Sequence, residues 1–294
     1  MIALKNSLLL FLVSLLFTAC VDFDPREIKN LQDGKVYKIG HGGLGFHRWF
    51  PFQALPANSS ASFTAALENG ADGIELDLQM TKDGEFVLYH DNELQSQTAQ
   101  EGCIADKKLK DVKGLAYQLG WPFDWFQSER IITLDSLFQL IKSQEEIPFV
   151  QIDMRTYSSC FELKENLSFK SSYIKQLHQK LASYSIPEDK LLLISLDKDA
   201  LKIARKLNSP YIISLEISGD FDQNLQWAIN NNIKVVTVKP SLLSPEKSAK
   251  AHANGIKVIT FGAKSKSGNA KLLRFNPDYI QTDNLSALED LLGS

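Results

Sequence analysis

The sequence has few of the features that would connect it to nucleic acid or to a membrane-spanning fold. Its 294 residues carry 32 lysines and arginines against 35 acidic residues, a formal net charge of -3. Without a basic excess there is no electrostatic footprint for a nucleic-acid backbone, so no nucleic-acid partner is expected. Low-complexity tracts and internal repeats are absent, and nothing implies a protein partner. The apolar run at residues 8–17 is too short to cross a bilayer.

Cysteine is scarce, and the first of the three cysteines ends that apolar run. Cys20 directly follows Thr18 and Ala19, and Lys5 gives the segment a positive start. The order resembles the lipobox of bacterial lipoproteins, in which the cysteine is lipidated. We therefore expect residues 1–20 to be a lipoprotein signal peptide. The exported protein would then be lipid-anchored at Cys20 in a bacterial cell envelope, on its periplasmic or surface side. An ordinary cleaved signal with an incidental cysteine is the alternative.

Cys103 and Cys160 lie in the remaining chain. Export makes a disulfide between them chemically possible, while two free thiols are equally compatible with the sequence. Residues 21–34 are polar and are expected to form a tether. Residues 35–294 are long enough for one large domain, and the chain's hydrophobic content of 44% supports a sizeable core.

Short apolar runs alternate with helical patterns along this domain. The runs are rich in Val, Ile, Leu and aromatic residues, as in strands that are buried on both faces. Alternation repeated about eight times favours a closed (β/α)8 TIM barrel over an open sheet. Residues 91–130 break the rhythm and are expected to be a loop-bearing insertion. The expected strands are residues 36–40, 73–80, 86–89, 149–154, 190–195, 211–215, 234–238, 257–261 and 279–281.

Polar residues mark the ends of the first four expected strands. In a (β/α)8 barrel the reactive side chains stand at the C-terminal strand ends. His41 follows the first run and His90 follows the third. Glu75 and Asp77 lie two residues apart in the second run, which places both carboxylates on one face. With Asp153 in the fourth run, three carboxylates and two histidines converge at one barrel mouth.

Three carboxylates in one confined site repel one another unless a cation is present. All-oxygen ligation suits Mg²⁺ or Ca²⁺, with positions left for water and a phosphate oxygen. Two histidines beside such a metal are suited to act as general base and general acid. Alone, either histidine would more often be structural, and Asp153 would merely pair with Arg155. Their joint placement at successive strand ends favours a metal-dependent catalytic site.

The second expected strand lies within a longer motif. Residues 68–84, ENGADGIELDLQMTKDG, are followed by a valine and by His90 and Asp91. This segment resembles the signature of the glycerophosphodiester phosphodiesterase family, and the resemblance extends over nearly the whole chain after the leader. Four further segments are similar to family motifs: ITL at 132–134, IDMR at 152–155, GIKV at 255–258 and PDYIQTD at 277–283.

The resemblance implies a phosphoric diester hydrolase that cleaves glycerophosphodiesters to glycerol phosphate and an alcohol. It implies a divalent metal held by Glu75, Asp77 and Asp153. It also implies that His41 and His90 are the catalytic pair.

Two further residues are implied as substrate contacts. Arg155 stands where the family has a lysine that contacts the phosphate and the metal-site carboxylates. Phe261 stands where the family often has a tryptophan that packs on the substrate. Both are expected to bind the small-molecule phosphodiester and not the metal.

The sequence departs from the family pattern in three places. The family's HRG motif reads HGG at 41–43, its PEN motif reads PAN at 56–58, and its third ligand is Asp153 where glutamate is usual. Either Arg155 or Arg48 would compensate for the missing arginine, or the site would bind the phosphate more weakly. Arg155 is the better placed because it shares a strand face with Asp153.

Two alternative functions stay open. A larger apolar pocket around Phe261 would favour a phospholipase D-like activity on lysolipids or sphingolipids. The missing arginine and glutamate would favour a lipoprotein that binds its ligand and catalyses weakly. Retention of both histidines and all three acidic ligands argues against pure binding, because binding needs no proton-transfer pair.

Overall fold

The computed structural model describes residues 23–46 and 53–293. The predicted signal peptide at residues 1–20, with Cys20, and Arg48 lie outside the described residues, so the fold does not test them. Within the described part of the chain, none of the helices is long and apolar enough to cross a membrane.

The sheet consists of nine strands: β1 (Tyr37–Gly40), β2 (Gly73–Met80), β3 (Phe86–Leu88), β4 (Phe149–Met154), β5 (Leu191–Ser195), β6 (Ile212–Ile217), β7 (Val235–Val238), β8 (Lys257–Ala263) and β9 (Tyr279–Thr282). Their order is β1-β9-β8-β7-β6-β5-β4-β2-β3, and a further pairing of β1 with β2 closes the ring. The eight strands of the ring are parallel, whereas β3 is antiparallel to the C-terminal part of β2 and lies outside it. The (β/α)8 barrel predicted from the sequence is therefore confirmed.

Alternate residues of each strand point into the barrel, as period-two geometry requires. Part of this interior is an apolar cluster that contains Ile39. Polar side chains lie there as well and bond one another, since Nε2 of Gln281 donates to Oε1 of Gln151 at 2.8 Å. Asp153 lies two residues after Gln151, and Asp283 lies two residues after Gln281. Both acids therefore face the barrel mouth at the C-terminal ends of the strands.

The helices cover the outside of the barrel: α1 (Ser60–Glu68), α2 (Leu109–Val112), α3 (Leu134–Lys142), α4 (Leu163–Ala182), α5 (Lys198–Lys206), α6 (Phe221–Asn230), α7 (Pro245–His252), α8 (Lys266–Leu273) and α9 (Leu285–Leu292). Side chains that accept from backbone N–H groups of the first turn define several helix starts, including Thr133 and Asp220. The apolar faces, with Leu137 and Leu177, join the main core between strands and helices.

Helix α4 begins at Leu163, whereas the apolar periodicity predicts a start at Tyr173. The early turns expose Leu163 and Leu167 and have no apolar stripe that faces the core. A capping box between Glu162 and Glu165 starts the helix instead. Periodicity detected only the part of the helix that packs on the barrel.

The insertion at residues 91–130 consists mainly of loops with short helical turns, as expected. A disulfide joins Cys103 in this insertion to Cys160, with the two Cα atoms 6.3 Å apart. This settles the alternative that the sequence left open between a bridge and two free thiols. Because Cys160 lies in the loop after β4, the bridge fixes the insertion to the loop that follows Asp153.

The segment at residues 21–34, expected as a tether, is packed against the barrel where it is described. Ile28 is buried in an apolar cluster with α8 and α9. The N–H of Leu31 donates to Oδ1 of Asp278 at 2.9 Å, and that of Lys29 to Oδ1 of Asn276. These acceptors precede β9, so the segment lies at the N-terminal end of the barrel, opposite the mouth.

The disulfide is expected to contribute to stability because it closes a long loop in the unfolded chain. A Cys103→Ser/Cys160→Ser double variant should lose about 2–4 kcal/mol of unfolding free energy, measured by denaturant titration without reductant. Wild type with reductant is the matched control and should shift in the same direction. Equal midpoints for the oxidised wild type and the double variant would contradict this expectation.

Candidate active site

One cavity of about 430 Å³ opens at the C-terminal mouth of the barrel. The structure brings together there every site residue that the sequence predicts within the described chain, on five strands and the segments after them. The cavity is lined by His41, Glu75, Asp77, His90, Asp153, Arg155 and Phe261.

Three carboxylates form the base of this cavity. Glu75 and Asp77 are only 3% and 2% exposed, and Asp77 is opposite Asp153 in the pairing of β2 with β4. One oxygen of each of the three lies within 4.8 Å of the others. Burial and the charge of Asp77 raise the pKa of Glu75 to about 8. Such crowded, desolvated oxygens fit a divalent cation, which could be held by this set.

Neighbouring groups fix the orientation of two of these carboxylates. The backbone N–H of Gly42 donates to Oε2 of Glu75 at 2.8 Å. Nδ2 of Asn58 donates to Oδ2 of Asp77 at 2.8 Å, and the N–H of Asp77 donates back to Oδ1 of Asn58. Asn58 is the last residue of the PAN segment, so this variant motif keeps a group that orients a candidate metal ligand.

Arg155 is the cation nearest to the carboxylates. Its guanidinium is ion-paired with Asp77, and Nη2 lies 3.0 Å from Oδ2 of Asp153. Burial by itself would raise the pKa of Asp77, but the charges of Arg155 and His90 and the hydrogen bonds from Arg155 and Asn58 together lower that pKa. The Nε atom of Arg155 is buried without a hydrogen-bond partner among residues 23–46 and 53–293. A donor of this kind is suited to an acceptor oxygen of a bound ligand.

Each histidine is paired with an aspartate of its own. Nδ1 of His41 donates to Oδ1 of Asp283 at 2.7 Å, and Nδ1 of His90 donates to Oδ1 of Asp91 at 2.7 Å. Burial opposes a charge on His41, but the bond to Asp283 and the charge of Glu75 raise the pKa of its imidazole. In both rings these bonds leave Nε2 available for proton transfer.

An aromatic ring fills the space beside the HGG segment. The ring of Phe46 lies 4.5 Å from that of His41 and 5.4 Å from that of His90, measured between centroids. A Cβ added at Gly42 would approach the Phe46 ring to 2.5 Å and Cβ of Ala57 to 2.9 Å. Position 42 therefore has no room for a side chain in this packing, so a bound phosphate has to be contacted by other residues.

The sequence reasoning assigned no role to five residues of the site: Asp283, Asn58, Phe46, Glu216 and Lys264. Three of them had a signal in the sequence. Asp283 ends the PDYIQTD segment, and Asn58 ends the PAN segment. Glu216 lies two residues after Ser214 in β6, which continues past the predicted end. Burial and the charge of Asp153 raise the pKa of Glu216 to about 7.

Fold and site together define a phosphodiesterase-type barrel, and comparison with known proteins gives the family. The model of the glycerophosphoryl diester phosphodiesterase family matches residues 47–287, and the chain belongs to this family. The matched range begins after His41. A glycerophosphodiester phosphodiesterase of Caldanaerobacter subterraneus subsp. tengcongensis is 27% identical over 241 residues, covering 81% of this chain and 93% of that protein.

Solved structures share the fold. A protein from Silicibacter pomeroyi superposes with a TM-score of 0.75 at 18% identity, covering 92% of this chain and 97% of the other. A phosphodiesterase of Oleispira antarctica, solved with the product sn-glycerol-3-phosphate, has a TM-score of 0.72 at 20% identity, with coverage of 88% and 97%.

The carboxylate cluster can be tested by metal binding alone. Asp77→Asn removes one charge and leaves the shape nearly unchanged. It should weaken binding of Mg²⁺ and Ca²⁺ by about tenfold or more, the scale of a lost anionic ligand or its orienting partner. Isothermal titration calorimetry gives the affinity, and circular dichroism checks the fold.

Asp189→Asn is the matched control, because this exposed acid lies before β5 at the opposite end of the barrel. It should bind both metals as the wild type does. Undiminished binding by Asp77→Asn would remove Asp77 from the metal site.

Proposed function

We propose that this protein is a metal-dependent hydrolase of glycerophosphodiesters that releases glycerol phosphate and an alcohol. The observation that carries the proposal is the cavity in which three clustered carboxylates lie beside two histidines, each paired with its own aspartate. The similar protein named glycerophosphodiester phosphodiesterase and the solved phosphodiesterase that holds sn-glycerol-3-phosphate support it.

Glu75, Asp77 and Asp153 would hold the metal. Carboxylate oxygens on a small rigid strand pair favour a hard cation, Mg²⁺ or Ca²⁺. A divalent cation bound there supplies positive charge to a phosphate oxygen and to the attacking hydroxyl. Arg155, already beside two of the ligands, would donate to a phosphate oxygen, for which its unpaired Nε is available.

The histidines would move the protons. His41 is assigned as the general base because Asp283 fixes its ring and stabilises the imidazolium that forms. It takes the proton of the attacking hydroxyl, which belongs either to the substrate's own glycerol or to water. His90 donates its Nε2 proton to the leaving alkoxide. Attack by the glycerol hydroxyl gives a cyclic phosphate, which water then opens. Phe261, whose ring lies 5.9 Å from His41, would pack on the glycerol.

The lipid anchor remains a proposal that the N-terminal sequence supports. If Cys20 carries the lipid, only two residues separate it from Phe23, which packs with Ile28 against α8 and α9. That attachment point is at the N-terminal end of the barrel. The mouth with the cavity is at the other end and would face away from the membrane. This orientation favours water-soluble glycerophosphodiesters over lysolipids or sphingolipids in the same membrane.

The proton-transfer roles can be separated from metal binding. His41→Ala and His90→Ala should each lower kcat by about a hundredfold or more on glycerophosphodiesters. Metal affinity by calorimetry should stay near that of the wild type, because neither ring is a proposed ligand. Asp283→Asn should lower kcat less than His41→Ala. Wild-type turnover in either histidine variant would remove that residue from the mechanism, and full activity of the wild type in excess EDTA would contradict the metal requirement.

The anchor predicts both location and substrate access. Cys20→Ser should leave the bacterial membrane fraction or stay unprocessed, and mass spectrometry of the native N-terminus should find a lipidated Cys20. In intact membranes, added glycerophosphocholine should be hydrolysed much faster than lysophosphatidylcholine embedded in the same bilayer. An unmodified N-terminus at Val21 or Asp22 would exclude lipidation. Faster turnover of the embedded lipid would exclude the proposed orientation.

A further inference from the structure

Two charged side chains of the cavity have no role in the chemistry described above. Glu216 and Lys264 both line it. No hydrogen bond or ion pair joins the carboxylate of Glu216, or the ammonium of Lys264, to any of residues 23–46 and 53–293. A half-buried carboxylate without a partner is uncommon, because burial of an unpaired charge is costly. The two side chains suit a ligand that brings a positive group to Glu216 and a negative group to Lys264.

Glu216 lies on the wall opposite the general base. In the ring of eight parallel strands, β6 is four steps from β1 in either direction, so Glu216 faces His41 across the mouth. It is not one of the carboxylates that cluster within 4.8 Å. Ser195 of β5 pairs with Leu215 of β6, which places the half-exposed Leu196 at the level of Glu216. The far wall thus combines one carboxylate with an apolar neighbour.

The charges of the cavity balance in a way that isolates this carboxylate. A divalent cation together with Arg155 would neutralise the three clustered carboxylates. Asp283 and Asp91 are each paired with the Nδ1 atom of a histidine. Glu216 and Lys264 have no such partner among the described residues, and they are not in contact with each other. A ligand that carries one negative and one positive group at separate places complements this remainder.

We propose that Glu216 binds the cationic head group of a zwitterionic glycerophosphodiester, an alcohol that carries a primary or quaternary ammonium. The inference rests on the proposed function, since the phosphate is taken to lie at the carboxylate cluster. The head group then extends across the mouth towards β6, with Leu196 against its methylene or methyl groups. Lys264 is then available to bind the phosphate, since Gly42 provides no side chain for that contact.

A glycerol or sugar head group would fit this wall less well, because its hydroxyl could donate to the carboxylate of Glu216 but would leave the charge of that carboxylate uncompensated. Glu216→Gln distinguishes the two, since the amide keeps the size and an acceptor oxygen but loses the charge. The substrates are glycerophosphocholine and glycerophosphoethanolamine, compared with glycerophosphoglycerol, whose head group is uncharged.

In the full-length protein, Glu216→Gln should lower kcat/KM for the two ammonium substrates by about tenfold, mainly through KM, as for loss of one partner of a partly desolvated charge pair. For glycerophosphoglycerol, kcat/KM should change less than about twofold. Glu101→Gln is the matched control, because it removes the same charge from an exposed residue of the insertion that does not line the cavity. It should behave as the wild type on all three substrates.

Binding measured without turnover keeps the inference testable apart from the proposed function. In a His90→Ala background with Mg²⁺ present, calorimetric affinity for glycerophosphocholine should fall when Glu216→Gln is added but not when Glu101→Gln is added, while affinity for glycerophosphoglycerol stays the same. If the wild type hydrolyses none of the three substrates, the proposed function fails and these affinities alone decide the role of Glu216. Equal losses on charged and uncharged substrates, or no loss on any, would overturn the assignment.

Discussion

The mutual repulsion of three buried carboxylates is the constraint on which the rest of the site depends. Burial and the charge of Asp77 raise the pKa of Glu75 to about 8, and burial also raises that of Asp153. Several groups offset the repulsion at once: the guanidinium of Arg155, the backbone N–H of Gly42 and the amide of Asn58. A bound divalent cation would offset the negative charge that these groups leave uncompensated. The fold therefore keeps an excess of negative charge at this site, and that excess makes cation binding favourable.

The same excess of negative charge explains how the histidines are placed. Imidazoles directly beside such carboxylates would be fixed as permanent cations or drawn into the cluster. Instead, Nδ1 of His41 is bonded to Asp283 and Nδ1 of His90 to Asp91, and each Nε2 stays available. His41 is the less exposed of the two, whereas the side chain of His90 is 42% exposed. One proposed proton-transfer group is thus sheltered and the other is open to water, in keeping with the proposed base and acid, which would have to exchange protons with solvent between turnovers.

The barrel and the cluster could be predicted because both follow from local periodicity. Alternation of apolar runs gives the strands, and period-two spacing puts Glu75 and Asp77 on one face. Other features depend on tertiary contacts. The buried position of Ile28 comes from helices more than two hundred residues away, so residues 21–34 looked like a tether. Glu216 was missed because β6 was predicted to end too early, which hid its inward direction.

The wall of the cavity beside His41 is shaped by two small residues that lie against each other. A Cβ added at Gly42 would lie 2.9 Å from Cβ of Ala57. An ionisable side chain at only one of these positions would be buried without a partner of opposite charge, at a cost in stability. With both residues small, the ring of Phe46 fills the space and lies against His41. This wall is therefore aromatic, whereas Arg155, Lys264 and Glu216 carry charge elsewhere in the cavity. Any recognition of a charged head group must consequently take place away from the β1 side of the mouth, on the wall where Glu216 lies.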